Sequence, residues 1–257
     1  GQAAFYGIGA YVAVFCLMVL KLPLIPTILL VMLATALFSM VVAYPSLRLK
    51  GDYFVLATLG FQLIIFTILY NWVPVTRGPY GIPGIPAPRL FGIIEISGLI
   101  PFIFLSTILM LTIVFIFYKL VHSPFGRILK GLRDDEIAVL SLGRNVTAFK
   151  IWAFVISSAF IGIAGIIYAT YVSYIDPTSF NLDEAIFILA AVLIGGTGNI
   201  RGPVVGAIFV VVLPELLRFV GFPDSIAANL RQIVYGLTLI VLMMYRPQGL
   251  AGEYRLQ

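Results

Sequence analysis

Long apolar segments recur along this chain and limit its fold more than any other feature of the sequence. A helix needs about 20 predominantly apolar residues to cross the hydrocarbon core of a bilayer. Eight candidate segments lie at roughly 3–20, 24–44, 53–72, 98–118, 151–171, 186–200, 203–220 and 230–245. The sixth is short, because its apolar run covers only 186–194 before glycines begin. The pattern predicts an all-α, polytopic bundle of transmembrane helices, some of them short or broken.

The composition excludes a soluble fold for these segments. Hydrophobic residues make up 61% of the 257 residues and charged residues only 11%, whereas soluble domains contain about 25% charged residues. A soluble protein of this length could not bury so much apolar surface, but lipid solvates it directly. We attribute the net charge of +5 to basic cytoplasmic loops rather than to nucleic-acid binding, so no nucleic-acid partner is expected.

Basic residues are divided unequally between the two sides of the predicted bundle. If successive helices alternate in direction, the connections at 45–52, 119–150, 195–202 and 246–257 share one side and hold 11 of the 16 Lys and Arg residues. The positive-inside rule places that side, including the C-terminus, in the cytoplasm. This alternation requires the short sixth segment to cross the membrane.

The sequence has no catalytic or metal-binding signature. A single cysteine, Cys16, and a single histidine, His122, exclude an internal disulfide and a His-cluster metal site. Neither a phosphate-binding P-loop nor a Gly-x-Ser-x-Gly nucleophile motif is present. We therefore expect no catalytic residue, metal or cofactor in this chain, and ATP-driven transport would need a partner ATPase that holds ATP and Mg²⁺.

The polar segment 123–150 is the most informative connection. It reads SPFGRILKGLRDDEIAVLSLGRNVTAFK, with apolar residues at helical spacing between charged ones. Gly143 is a typical helix stop. The pattern predicts one amphipathic helix from Arg127 to Gly143 that lies outside the membrane and docks into a groove on a partner. A solvated, charged loop is the alternative.

Six stretches in order resemble the LivM-type permeases of branched-chain amino acid ABC importers. They are GQAAFYGIGAY (1–11), LRLKGDYFVLATLGFQLI (47–64), GPYGIPGIP (78–86), GRILKGLRDDEIAVLSLGRNVTAFK (126–150), VLIGGTGNIRGPVVGA (192–207) and YRPQGLAG (245–252). The resemblance covers essentially the whole chain. It implies a single permease domain over 1–257, with further helices upstream of residue 1 and a cytoplasmic coupling loop at 123–150.

The resemblance also implies an assembly in a bacterial or archaeal inner membrane. Its partners would be a second, LivH-type permease, two cytoplasmic ATPase subunits and an extracytoplasmic binding protein that delivers leucine, isoleucine or valine. Coupling to the ATPases would fall on Arg127, Arg133, Asp134, Asp135, Glu136, Ile137, Leu140 and Gly143.

A zwitterionic substrate with an apolar side chain needs a few polar groups along an otherwise neutral path, since unpaired charges in the membrane are costly. Polar residues and glycines in apolar surroundings are the candidates for this pathway: Gln2, Tyr6, Thr58, Gln62, Gly195, Gly196, Thr197 and Asn199. For each polar residue the alternative is a helix–helix hydrogen bond. Three glycines within 195–198 predict a broken helix, whereas Gly7 and Gly9 suit close helix packing.

Other functions remain open at the level of sequence. Within the ABC family, urea or a short amide is an alternative substrate. An ion-coupled secondary transporter would need buried acids or bases, and the spans offer almost none besides Glu215, which we expect to pair with Arg218 on the same helix face. A scaffold without transport activity is disfavoured by the interrupted spans.

Overall fold

A computed structural model gives the structure of the chain and describes residues 1–49, 51–90, 94–218, 236–237, 244 and 249–251. Within these residues, six helical segments are long and apolar enough to cross a membrane. They are Gln2–Val19, Leu24–Ser46, Asp52–Asn71, Leu99–His122, Val146–Val172 and Pro177–Gly195. The predicted all-α membrane bundle is therefore confirmed.

The chain divides into two compact units, residues 1–182 and 183–257, which we call the N-terminal and C-terminal units. In the N-terminal unit the helices are α1 (Gln2–Val14, continued by a π-helical stretch Phe15–Val19), α2 (Leu24–Ser46), α3 (Asp52–Asn71), α4 (Val73–Thr76), α5 (Leu99–His122), α6 (Pro124–Asp134), α7 (Glu136–Ser141) and α8 (Val146–Val172). The strands are β1 (Ile82–Pro83), β2 (Arg89–Leu90), β3 (Ile94–Glu95) and β4 (Tyr174–Ile175), with 3₁₀ turns at Gly78–Tyr80 and Pro177–Phe180. The C-terminal unit contains α9 (Leu182–Gly195), whose first residue belongs to the N-terminal unit, and α10 (Arg201–Arg218).

Helices α1, α2 and α8 form the centre of the N-terminal unit and meet through small residues. A Cβ atom added to Gly9 would lie 2.5 Å from the Cα of Gly162, and one added to Gly165 would lie 2.5 Å from the carbonyl oxygen of Tyr6. On its other side Gly162 abuts Thr35 of α2. Small residues let helix backbones approach closely in lipid, where the hydrophobic effect does not drive helices together. The predicted packing role of Gly9 is therefore confirmed.

The Pro- and Gly-rich connection between α3 and α5 is tied to the segment that follows α8. Strand β1 pairs antiparallel with β4, with Ile82 opposite Ile175. The 3₁₀ turn at Pro177–Phe180 starts at Asp176, whose Oδ1 accepts a hydrogen bond of 2.9 Å from the Ser179 amide. This end of the unit is opposite the α6–α7 connection, because α8 runs from one end to the other.

The structure refines the predicted spans at their ends. The sixth segment is long enough to cross as Pro177–Gly195 because its helical structure begins before the apolar run. The seventh begins at Arg201, and α10 extends past Glu215 to Arg218. The predicted Glu215–Arg218 pair involves side chains outside the described part of the chain, and the eighth segment lies almost entirely outside the described residues.

Candidate transport pathway and coupling region

The segment predicted as one amphipathic helix forms two helices, α6 and α7, so the prediction of a continuous helix from Arg127 to Gly143 was wrong. Asp135 separates them in an extended conformation (φ −154°, ψ 107°). Its Oδ1 accepts hydrogen bonds from the amides of Ile137 (2.8 Å) and Ala138 (3.0 Å). The first amides of a helix have no carbonyl partner in a preceding turn. An aspartate side chain that accepts hydrogen bonds from these amides therefore stabilises the start of a new helix.

Side-chain caps also fix the outer ends of this region. The Ser123 hydroxyl accepts from the Gly126 amide (3.3 Å) at the start of α6, and Asn145 Oδ1 accepts from the Ala148 amide (3.1 Å) at the start of α8. Gly143 has a left-handed φ of +71° and its amide donates to the Leu140 carbonyl (2.9 Å). The predicted helix stop at Gly143 is confirmed. Ser and Asn are common residues at helix N-caps, so the starts of α6 and α8 could have been predicted from these two residues.

The apolar residues of α7 divide between the inside and the outside. Val139 is buried and lies against Gly131 of α6. Ile137 is 75% exposed and Leu140 52% exposed, and Leu142 beyond the helix is 78% exposed. Ile137 and Leu140 are three residues apart and share one exposed side of α7, and together with Leu142 just beyond the helix we call them the α7 face. It lies outside the spans, at the connection between α5 and α8.

The charged residues of the predicted coupling region make local contacts. Arg133 Nε lies 2.9 Å from Asp134 Oδ1, with both side chains largely exposed. Glu136 Oε2 lies 2.7 Å from Lys150 Nζ, which joins the start of α7 to the first turns of α8. Arg127 donates to the His122 carbonyl at the end of α5 (3.3 Å). The structure thus brings Asp135, Glu136, Ile137 and Leu140 together on α7 and its cap.

Gln62 is the most deeply buried of the predicted pathway residues in the N-terminal unit. Its side chain is 2% exposed, and Nε2 donates to the Asn181 carbonyl over 3.1 Å. Within the described part of the chain, its Oε1 is buried and has no hydrogen-bond partner. A buried unpaired acceptor costs about 1–3 kcal/mol. Gln62 Oε1 is therefore the candidate acceptor among the predicted pathway residues of this unit.

Thr58 lies four residues before Gln62 and so on the same face of α3. It is buried, and its hydroxyl donates to the Val55 carbonyl within the same helix (2.9 Å). Gly1 packs against it, since a Cβ there would lie 3.0 Å from the Thr58 carbonyl oxygen. Its neighbour Gln2 is exposed.

Tyr6 belongs to an aromatic cluster near the same turn. Its ring centroid lies 5.0 Å from that of Phe180 and 5.6 Å from that of Tyr168, in edge-to-face arrangements. Tyr168 in turn donates to the Ser179 hydroxyl over 3.0 Å. Because Gln62 binds the carbonyl of Asn181, Tyr6 and Gln62 contact consecutive residues of one turn. No local pattern in the sequence marks Phe180 and Asn181 as the residues that Tyr6 and Gln62 contact.

In the C-terminal unit the predicted break in the helix at residues 195–198 is confirmed. Helix α9 ends at Gly195, and Gly196 and Gly198 have φ values of +99° and +100°, which disfavour any residue with a Cβ. A Cβ on Gly195 would overlap the Gly202 carbonyl oxygen. Thr197 is half-buried within this turn. The close approach of α9 and α10 thus depends on small residues.

Asn199 joins this turn to the end of the chain. Its Oδ1 accepts from the Gly202 amide (2.7 Å) at the start of α10, and its Nδ2 donates to the Ala251 carbonyl (2.6 Å). The amides of Leu250 and Ala251 donate to the Ile194 and Gly195 carbonyls, each over 2.9 Å. Residues 249–251 therefore supply hydrogen-bond donors to carbonyl groups at the C-terminal end of α9. These contacts give Asn199 a structural role, which agrees with the hydrogen-bonding alternative to a place in the pathway.

Comparison with known proteins places the chain in a family. Residues 1–243 match the model of the permease component of branched-chain amino acid transport systems. The high-affinity branched-chain amino acid transport system permease protein LivM of Salmonella typhimurium (strain LT2) is 33% identical over 100% of this chain and 64% of its own length. The probable branched-chain amino acid transport permease protein LivM of Methanocaldococcus jannaschii is 27% identical over 81% of this chain and 62% of its own length.

More distant similarity extends to permeases of other solutes. The ribose import permease protein RbsC of Haemophilus influenzae is 28% identical over 49% of this chain and 40% of its own length. No solved structure matches the chain. The chain spans just under two thirds of the length of the LivM relatives named above. On the match of residues 1–243, the chain belongs to the family of permease components of branched-chain amino acid transport systems.

Proposed function

We propose that this chain is the transmembrane permease subunit of an ATP-driven ABC importer that moves branched-chain amino acids into the cytoplasm. The observation that carries the proposal is the exposed α7 face, an apolar surface on a short helix outside the spans, in a chain of this permease family. Lipid covers exposed apolar side chains within the spans, but it does not cover Ile137 and Leu140 in a polar connection.

The occupant that fits the α7 face is an ATPase subunit. Amphipathic helices commonly dock their apolar face into a hydrophobic groove of a partner. Helix α7 has only six residues, so its orientation depends on the body of the permease, and motion of the partner would pass to that body. We propose two ATPase subunits, which hold ATP and Mg²⁺, together with a LivH-type second permease and an extracytoplasmic binding protein.

The α6–α7 connection and the C-terminus would lie in the cytoplasm. The described connections at the two ends of the N-terminal unit support this orientation, because the α7 end is the more basic and the β1–β4 end carries the Pro- and Gly-rich loop. An ATPase bound at α7 requires the same orientation, which agrees with the positive-inside rule.

Branched-chain amino acids are the substrates that the relatives' names indicate. The N-terminal unit suits a zwitterion with an apolar side chain, because Gln62 offers a buried acceptor near the aromatic cluster around Tyr6. A substrate ammonium group would donate to Gln62 Oε1. The other pathway candidates, Gln2, Thr58, Gly195, Gly196, Thr197 and Asn199, remain predictions.

The orientation predicts that a cysteine at Ser141, introduced after Cys16 is replaced, resists membrane-impermeant thiol reagents in intact cells. The same cysteine should react after the cells are lysed, because Ser141 is exposed on α7. A cysteine at Tyr80, which is 80% exposed in the opposite connection, is the matched control and should react from outside. Rapid external labelling at position 141 would contradict the orientation.

The pathway proposal predicts that Gln62→Leu lowers uptake by at least about tenfold per assembled complex. A hydrogen bond to a charged group contributes about 1.5–3 kcal/mol, and leucine removes the acceptor while keeping a similar volume. Thr67→Val is the control, because Thr67 is exposed on the same helix and its hydroxyl donates locally to the Leu63 carbonyl. Lower stability with normal uptake per complex would assign Gln62 to helix packing instead.

The docking proposal predicts that Ile137→Asp or Leu140→Asp releases the ATPase or uncouples its hydrolysis from uptake, while the permease still inserts. Truncation of an apolar anchor in an interface typically costs over about 1 kcal/mol, and an unpaired buried acid costs more. Gly143→Val should act more mildly, because it strains the left-handed turn after α7 without changing the α7 face. Co-purification of the ATPase and uptake of leucine are the measurements.

Ser97→Asp is the control for these variants, because it adds the same charge at an exposed position just before α5, at the other end of the unit. An acid there is favourable at a helix N-terminus. Co-purification and uptake equal to wild type for both Ile137→Asp and Leu140→Asp would refute the docking role of α7.

A further inference from the structure

Helix α7 contacts both the short helix α6 and the membrane-spanning helix α8. Val139 is buried against Gly131 of α6. One turn earlier, Glu136 Oε2 lies 2.7 Å from Lys150 Nζ, and both side chains are only partly exposed (41% and 34%). An apolar contact by itself lets a short helix pivot. A second, polar contact on another helix removes that freedom.

Helix α6 is fixed to the same part of α8. The rings of Phe125 and Phe149 pack with their centroids 5.5 Å apart, and Phe149 directly precedes Lys150. The start of α8 therefore holds both short helices. A force applied to the α7 face would reach α8 through Glu136 and Lys150 and through the contact of α7 with α6.

Helix α8 can carry such a displacement across the unit. It spans 27 residues without a proline, about 40 Å at 1.5 Å per residue. Gly162 and Gly165 hold it against α2 and α1. Past its far end lies the turn whose Phe180 contacts Tyr6 and whose Asn181 carbonyl accepts from Gln62. Helix α8 thus connects the helices that carry the α7 face to the turn beside the proposed substrate acceptor.

We propose that the Glu136–Lys150 ion pair is the positioning contact that makes α7 and α8 move as one body when the ATPase subunits close. This inference rests on the proposed function and adds to it the residues that transmit the motion. Partly exposed ion pairs contribute little to stability. Loss of the pair should therefore leave folding and ATPase docking intact, while α7 pivots about Val139 and less of its displacement reaches α8.

The test uses the complete complex of permease and ATPase subunits in membranes. Glu136→Gln and Lys150→Met should each retain the ATPase but lower the amount of leucine imported per ATP hydrolysed by several-fold. Lys150→Arg, which keeps the charge, should retain most of the coupling. The exchange Glu136→Lys with Lys150→Glu should restore coupling relative to the single variants, because it restores an ion pair at the same place.

Glu95→Gln is the matched control. It removes a different ion pair, Arg89–Glu95 (3.4 Å), in the connection at the other end of the unit. Wild-type coupling in Glu136→Gln and Lys150→Met would overturn the inference, and so would release of the ATPase, which would assign the pair to the docking surface. If Ile137→Asp is defective while the pair variants are normal, this inference alone fails. If Ile137→Asp is also normal, the proposed function fails with it.

Discussion

The backbone contact between α1 and α8 at Gly9 and Gly162 is the interaction on which the rest of the N-terminal unit depends. In lipid, helices associate through close packing and hydrogen bonds, because apolar surface gains nothing by leaving one apolar medium for another. The absence of a Cβ at Gly9, Gly162 and Gly165 lets α8 lie against both α1 and α2. With α8 held there, its two ends bear the two proposed functional regions, the α6–α7 connection and the 177–181 turn.

The hydrogen-bond partners of polar groups in the spans distinguish Gln62 from the other buried polar residues. Water cannot satisfy a polar group in the bilayer core, so each one needs a partner within the protein. The buried hydroxyls of Thr27, Thr35 and Thr170 find a partner nearby in the chain, because each donates to the carbonyl four residues earlier. Gln62 instead donates to Asn181, 119 residues away, and keeps a buried oxygen free of any partner in the described chain. That difference separates a candidate ligand group from ordinary helix chemistry.

Local patterns were sufficient to predict some of this structure. The spans follow from hydropathy, and the helix end at Gly195 and the stop at Gly143 follow from glycine's freedom to adopt positive φ. The division of the coupling segment at Asp135 was missed, because a run of Asp and Glu is compatible with the first turn of a helix as well as with its interior. The contacts of Gln62 with Asn181 and of Asn199 with Ala251 join residues far apart in sequence, so only the folded chain reveals them.

The central proposal is that this chain moves branched-chain amino acids with energy from ATP rather than from an ion gradient. The direct measurement is uptake of labelled leucine into proteoliposomes that hold the chain with its second permease and ATPase subunits, the binding protein outside and ATP inside. The account predicts accumulation that requires ATP, persists when ionophores collapse proton and sodium gradients, and is competed by isoleucine and valine but not by urea. Accumulation without ATP that follows an imposed ion gradient would contradict it.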